Sequence, residues 1–239
     1  MQTSLQQFSE TQSTDAFALQ NAKLLKVRLD QGTIQAKLGA MVAYQGAVTF
    51  EHAGSGGMGR MLKKAVTGEG ARMMKMTGTG EVFLADLAQD VHLLALDNEK
   101  ITVNSTNLLA FDADIDWDIE RVQGAGAMMG GGLFNTSLKG SGFVAIVSDG
   151  PPVMLDVASA PTFADAQAAI TWSEGVSTSI RTDFKALKNL TGRGSGETVQ
   201  MAFSGSGWVL VQPSEGRVEA APGGGGSSPG GMLGNLLNG

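Results

Sequence analysis

KGSGFVAIVS (139–148) reads as a glycine-led turn running into a buried strand, and the chain writes the same phrase twice more. TGTGEVFLAD (77–86) precedes it and SGSGWVLVQP (204–213) follows, each a Gly-x-Gly entering an apolar, β-branched run. Glycine pairs at Gly78/Gly80, Gly140/Gly142 and Gly205/Gly207 hold equivalent places. Paired glycines in a strand signal a bulge, a tight bend or the close approach of another backbone.

A second phrase recurs upstream of each. MVAYQGAVTF (41–50), LLAFDADIDW (108–117) and AAITWSEGVST (168–178) align on Tyr44, Phe111 and Trp172, with Val48, Ile115 and Val176 four residues later. Aromatic and β-branched residues at period two, broken by short polar turns, are a strand signature. Two anchors repeating together mark three homologous units. The expected fold is therefore all-β, a sandwich or barrel with pseudo-threefold symmetry and few or no long helices. Its three repeats span about 15–85, 86–148 and 149–215 of a single domain at 15–215, sharing one core. Residues 1–14 form an N-terminal segment, and 216–239 a flexible Gly/Ser-rich tail with an apolar end. PTFADAQAAI (161–170) and SIRTDFKALKNL (179–190) have a faint helical rhythm, but the alignment sets strands around both.

Composition sets the outer limits. The 239 residues carry a formal net charge of -6, which disfavours a general nucleic-acid binder. The chain has no cysteine, so disulfides and thiolate metal sites are excluded. The first twenty residues lack the basic and apolar regions of a signal peptide and the arginines of a transit peptide, so the expected location is the cytoplasm.

The order of glycine loop, strand, Gly-x-Gly and strand, together with LLAFDADIDW, resembles the altered inheritance of mitochondria protein 24 family, formerly domain of unknown function 124. The resemblance covers about residues 15 to 215. It implies a fold like that of the tryptophan RNA-binding attenuation protein and an oligomeric state, and it supplies no catalytic motif and no cofactor. The family's mitochondrial members carry a transit peptide, so their location does not transfer.

Candidate sites divide into chemistry and surface. His52 and His92, the two histidines, lack the spaced partners of a zinc site, and GRGSG (192–196) sets Ser195 off the centre of a nucleophile elbow. GAGAMMGGGLF (124–134) lacks the Gly-Lys-Ser/Thr ending of a phosphate loop. No enzyme is expected, and no cofactor. On one continuous strand, DADIDWD (112–118) would line Asp112, Asp114, Asp116 and Asp118 along one face. Such a face is solvated, opposed to a partner or, as a weak metal candidate, cation-bound; a linear ladder splays the oxygens that calcium needs to converge. Tyr44, Phe111, Trp117, Trp172 and Trp208 are the expected core aromatics.

GMGRMLKKAVTG (57–68) sets Met58 and Met61 beside Arg60, Lys63 and Lys64 in a short basic amphipathic pattern. It suits covering the body, an oligomer contact or an anionic membrane surface. Met232, Leu233, Leu236 and Leu237 close the tail as a tethered apolar peptide. The leading expectation is a non-catalytic, self-associating β scaffold or binding module, with peripheral membrane association and small-ligand binding as alternatives.

Overall fold

The computed structural model describes residues 4–52, 72–121, 134–182 and 199–214. Met58, Arg60, Met61, Lys63 and Lys64, and Met232, Leu233, Leu236 and Leu237, lie outside these residues, so the expectations placed on them have no structural account.

After a 3-10 turn at Ser4–Phe8 and a short strand β1 (Phe17–Asn21), three units follow with one pairing plan. The first comprises β2 (Leu24–Lys37), β3 (Met41–His52) and β4 (Met73–Leu84). The second comprises β5 (Asp90–Asn104), β6 (Leu108–Asp112), β7 (Asp116–Arg121) and β8 (Phe134–Ser148). The third comprises β9 (Val153–Asp156), β10 (Thr162–Asp165), β11 (Ala169–Ser173), β12 (Val176–Thr182), β13 (Val199–Gly205) and β14 (Trp208–Val211).

In each unit the last strand lies between the other two. β4 pairs with β2 and β3; β8 pairs with β5 on one side and β6 and β7 on the other. In the third unit β13 pairs with β10 and β12, and β14 with β9 and β11. The register repeats as well: Tyr44 faces Val82, Phe111 faces Val144 and Trp172 faces Val209. Likewise Val48 faces Gly78 and Val176 faces Gly205.

The glycine pairs stand where each last strand bends. All six have positive φ, from 114° at Gly205 to 155° at Gly80, a region L-residues avoid. A Cβ on Gly78 would collide with the Ala47 carbonyl oxygen, and one on Gly80 with that of Gln45. The facing Gly46 is equally confined, its Cβ position lying 2.6 Å from the Thr79 oxygen. Gly205 and Gly175 block each other's neighbourhood in the same way. Opposite two of these bends the first strand bulges, with Gln31 and Asn98 at φ 52° and 53°.

Gly207 directly precedes β14, as expected of a pair entering a strand, while the first two pairs lie inside longer strands. Gly80 and Gly142 lie within β4 and β8, whereas Gly207 lies in no strand, in the break between β13 and β14. Here the chain passes from the smaller sheet, which holds β13, to the large one, which holds β14. A Cβ on Gly207 would collide with the Ser173 hydroxyl, which accepts from the Trp208 N–H at 3.1 Å, so glycine is still required there. The Gly207 carbonyl accepts from the Val157 N–H at 2.9 Å, just past the end of β9.

Units join by one rule, the first strand of one unit pairing with the second strand of the next. Ile34–Ala36 pairs with Ala110–Asp112, and Ile101–Val103 with Thr171–Ser173. The resulting antiparallel path of the large sheet runs β3-β4-β2-β6-β8-β5-β11-β14-β9, with β10-β13-β12 as the second sheet. The path is open, not a closed barrel, and no described pairing links the third unit back to the first; closure about a threefold axis, expected from the repeat, is not what the pairing records.

The interior also departs from the expected single core. Three buried clusters form, centred on Met76 and Val82, on Phe111 and Ile146, and on Trp172 and Phe203. The first two clusters cross unit boundaries, Leu109, Ala110, Ala145 and Val147 of the second unit joining the first cluster and Met73 and Ile170 of the flanking units joining the second. Of the expected core aromatics, Phe111 and Trp172 are buried, at 0% and 4% exposure. Trp117 and Trp208 are half-buried against the second cluster, Trp117 edge-on to Phe111 at 5.8 Å. Tyr44 is 47% exposed and is corrected out of the core. It sits on β3, at the end of the sheet, where among the described residues no further strand covers it.

The glycine geometry orders three substitutions. Gly78→Ala and Gly80→Ala force apart the β3–β4 backbones and should lower the melting temperature far more than Gly140→Ala. At Gly140 the nearest atom to the added carbon, the Ile115 Cα, lies 3.6 Å away, leaving only the conformational cost of about 1–3 kcal/mol. Equal melting temperatures for the three would refute this account of the corners.

Candidate functional site

His92 on β5 approaches Ser148 on β8, Nε2 to Oγ at 2.8 Å. The Ser148 hydroxyl donates to the Gly150 carbonyl at 2.6 Å, so its proton is committed there. Nε2 must then donate to Oγ, the reverse of what a base activating a nucleophile requires. Ser148 is fully buried, and burial lowers the pKa of His92 despite the opposing charge of Asp90. The pair is a neutral strand-to-strand tie. His52 ends β3, and its side chain lies outside the described set. Among the described residues no three His, Cys, Asp or Glu side chains converge as metal ligands.

The aspartate ladder is not a ladder. β6 ends at Asp112 and β7 begins at Asp116, with a turn between them closed by Ile115 N–H donating to the Asp112 carbonyl at 3.1 Å. Ile115 is buried, and Asp114, Asp116 and Asp118 are exposed. Asp118 accepts from the Ile119 N–H at 2.9 Å. Asp112 turns inward instead, accepting from the Phe143 N–H at 2.6 Å, beside the space a side chain on Gly142 would need. Burial pushes the Asp112 carboxyl above its ordinary value; the Phe143 N–H opposes this and the charge of Asp114 adds to it. The turn sets Asp112 apart from the three exposed carboxylates, so the expectation of four on one continuous strand face fails.

A charged cluster forms at a place the sequence did not indicate. Lys26 lies between Leu25 and Val27 on β2, and its side chain is only 5% exposed. Its ammonium donates to Glu10, to Glu81 at 2.8 Å and to the Thr11 carbonyl at 3.1 Å. The N-terminal segment is thereby strapped over β2, helped by Gln20, which accepts from the Thr11 N–H at 2.8 Å and donates to the Ser9 carbonyl at 3.1 Å. Burial draws the Lys26 pKa down, but the hydrogen bonds to Glu10 and Glu81 outweigh it and hold it above its ordinary value. Hydrogen bonds to Glu81 and Lys26 hold Glu10 below its own. Glu81 is 55 residues from Lys26, so no local pattern could have revealed the group.

The remaining candidate is a surface. β3 is the end strand of the large sheet, and most of its residues are exposed on both faces. Val42 is 62% exposed and Phe50 37%, with Tyr44 edge-on to Phe50 at 5.0 Å. Natural end strands are blunted by lysine, proline or shortness. MVAYQGAVTFEH is 12 residues long and holds neither residue. The far edge differs: β9 has four residues and follows Pro151 and Pro152.

The family model described as "Mitochondrial biogenesis AIM24" matches residues 17–214. The chain belongs to the AIM24 family. Its fold is similar to the crystal structure of protein SPYM3_0169 from Streptococcus pyogenes, with a TM-score of 0.68 at 22% identity, over 83% of this chain and 92% of that one. No curated protein matches the sequence. Among the described residues of this AIM24-family chain, no helix is long and apolar enough to cross a membrane.

Two measurements test the charged groups. Asp112 has a raised folded pKa, so its ionisation opposes folding at neutral pH and ceases to do so in acid. Asp112→Asn keeps an oxygen for the Phe143 N–H without the charge, and should leave the melting temperature at pH 7 unchanged or higher; a large loss would show that the charge itself is needed. Glu10 has a lowered folded pKa, so its contribution is present above the ordinary value of 4.5 and lost as pH falls below it. Protection from hydrogen exchange at residues 9–15, taken relative to the intrinsic rate at each pH, should therefore fall in acid, and should already be low at pH 7 in Lys26→Met. Protection indifferent to both would remove the strap.

Proposed function

We propose that this AIM24-family chain is a non-catalytic, self-associating β scaffold whose contact surface is the open edge of β3. The observation that carries the reading is that edge: 12 residues with exposed Val42, Tyr44 and Phe50 and no guarding lysine or proline. Unpaired N–H and C=O groups along such a strand are a ready template for another strand, and closed assemblies of identical copies are the common outcome.

A non-catalytic role is supported by the hydrogen-bond direction at His92 and Ser148, which commits the hydroxyl proton to a carbonyl. The acidic balance, -6 overall, favours protein over nucleic acid as the partner. The lack of cysteine is in keeping with a reducing compartment, and we place the assembly in the cytoplasm.

Light scattering of the full chain should give a mass well above the monomer's 24.7 kDa. Val42→Lys with Tyr44→Lys, which sets charge on the edge without touching a buried residue, should return it to the monomer at unchanged melting temperature. A monomeric wild type, or an oligomer indifferent to these charges, would refute the reading.

A further inference from the structure

The internal repeat states what belongs beside β3. In the second and third units the strand equivalent to β3 is covered by the first strand of the preceding unit, through three residues in a fixed register. Phe111 faces Gln35 and Trp172 faces Thr102. Gln35 in turn faces Lys75, three residues before Gly78, and Thr102 faces Ser137, three residues before Gly140. The equivalent in the third unit faces Ala202, three residues before Gly205, and that residue is Phe163 on β10. The missing junction is thus specified: Gln45 against Thr162, Tyr44 against Phe163 and Ala43 against Ala164.

Burial at the matching positions agrees. Where the junction is made, the flanking pairs Ala36/Ala110 and Val103/Thr171 are all 0% exposed. At the third place Ala43 is exposed and Ala164 half-buried. The aromatic at the centre follows the same rule: Phe111 and Trp172 are buried, while Tyr44, at the same register, is 47% exposed. An aromatic kept at a core position of the repeat yet left in water lacks its cover.

We infer that β3 of one copy pairs antiparallel with Thr162–Ala164 of a second copy, completing in trans the junction that the first two units make with their successors in cis. This rests on the self-association proposed above and names its partner strand and register. Because the two surfaces differ, the contact is heterologous, closing into a ring or a reciprocal pair according to the angle between units. Pro161 lies one residue beyond the three-residue bridge and does not interrupt it.

With no native cysteine, the register can be read by disulfide formation. Directly opposed residues in an antiparallel pair have Cα atoms about 4.5–5.5 Å apart, within disulfide range. Full-length Ala43→Cys and Ala164→Cys, mixed and oxidised, should give a disulfide dimer that neither forms alone, as should the second pair Gln45→Cys with Thr162→Cys. Melting curves of each variant would confirm folding. A dimer formed as readily by Ala43→Cys alone would overturn the inference in favour of β3 against β3. A disulfide within one chain of the double variant would overturn it in favour of closure in cis. An oligomeric mass with no mixed disulfide at either pair would refute this junction while leaving self-association standing; a monomeric mass would sink both.

Discussion

The whole architecture depends on two backbones lying closer than a side chain permits. In the first and third units a glycine of the last strand meets its neighbour's backbone where a Cβ has no room, as Gly78 and Gly80 do against Ala47 and Gln45 and Gly205 does against Gly175. In the second, Gly142 meets the Asp112 side chain and Gly140 has room. Only glycine tolerates both the approach and the positive φ, and the freedom it loses on folding is the cost of the bend. The facing strand answers with a bulge at Gln31 or Asn98, which absorbs the extra residue on the outside of the turn. A flat sheet of this length would leave one face wet; bent units fold that face inward and fill it with residues such as Phe111, whose truncation would cost about 3–5 kcal/mol.

Buried polar groups hold neighbouring units in place where apolar packing alone would let them slide. Asn107 donates to the Val147 carbonyl at 2.8 Å and to Gln212 at 3.3 Å, while Gln212 donates to the Gln167 carbonyl and accepts from the Asp149 N–H. Asn104 reaches the Ala169 carbonyl at 3.4 Å from the same turn. Each satisfied group ties the second unit to the third, and an unmet one would cost about 1–3 kcal/mol. The Lys26 cluster does the same for the N-terminal segment. These polar side chains are spent on architecture, while Val42, Tyr44 and Phe50 on β3 and Val153 and Met154 on β9 leave apolar surface exposed at the two ends of the large sheet.

Legibility in the sequence followed the range of the interaction. The repeat was visible because each unit needs the same glycines at the same corner, and the Tyr44, Phe111 and Trp172 alignment proved to be a true register against Val82, Val144 and Val209. The glycine pairs alone could not show that β4 and β8 run on through Gly80 and Gly142 while the third corner parts β13 from β14. Gly46 and Gly175, which face those corners, carry the same steric constraint but stand singly in the sequence, so no pattern flagged them. The aspartates misled because alternation alone cannot distinguish one strand from two strands meeting at a turn; only Ile115 sinking into the core reveals the break. Lys26 and Asn107 were silent because their partners are distant in the chain.

What the sequence determined by itself was the unit: strand period, corner glycines and aromatic register are local properties, repeated three times with the same positive-φ backbone at the glycines. What only the tertiary structure decided was how far the units close on one another. That outcome depends on the angle accumulated across two junctions and on which edge is left without a neighbour. The same aromatic position is therefore core in two units and surface in the first. Burial is set by what lies opposite a residue, and a sheet of open topology has an end strand beside which no described strand lies.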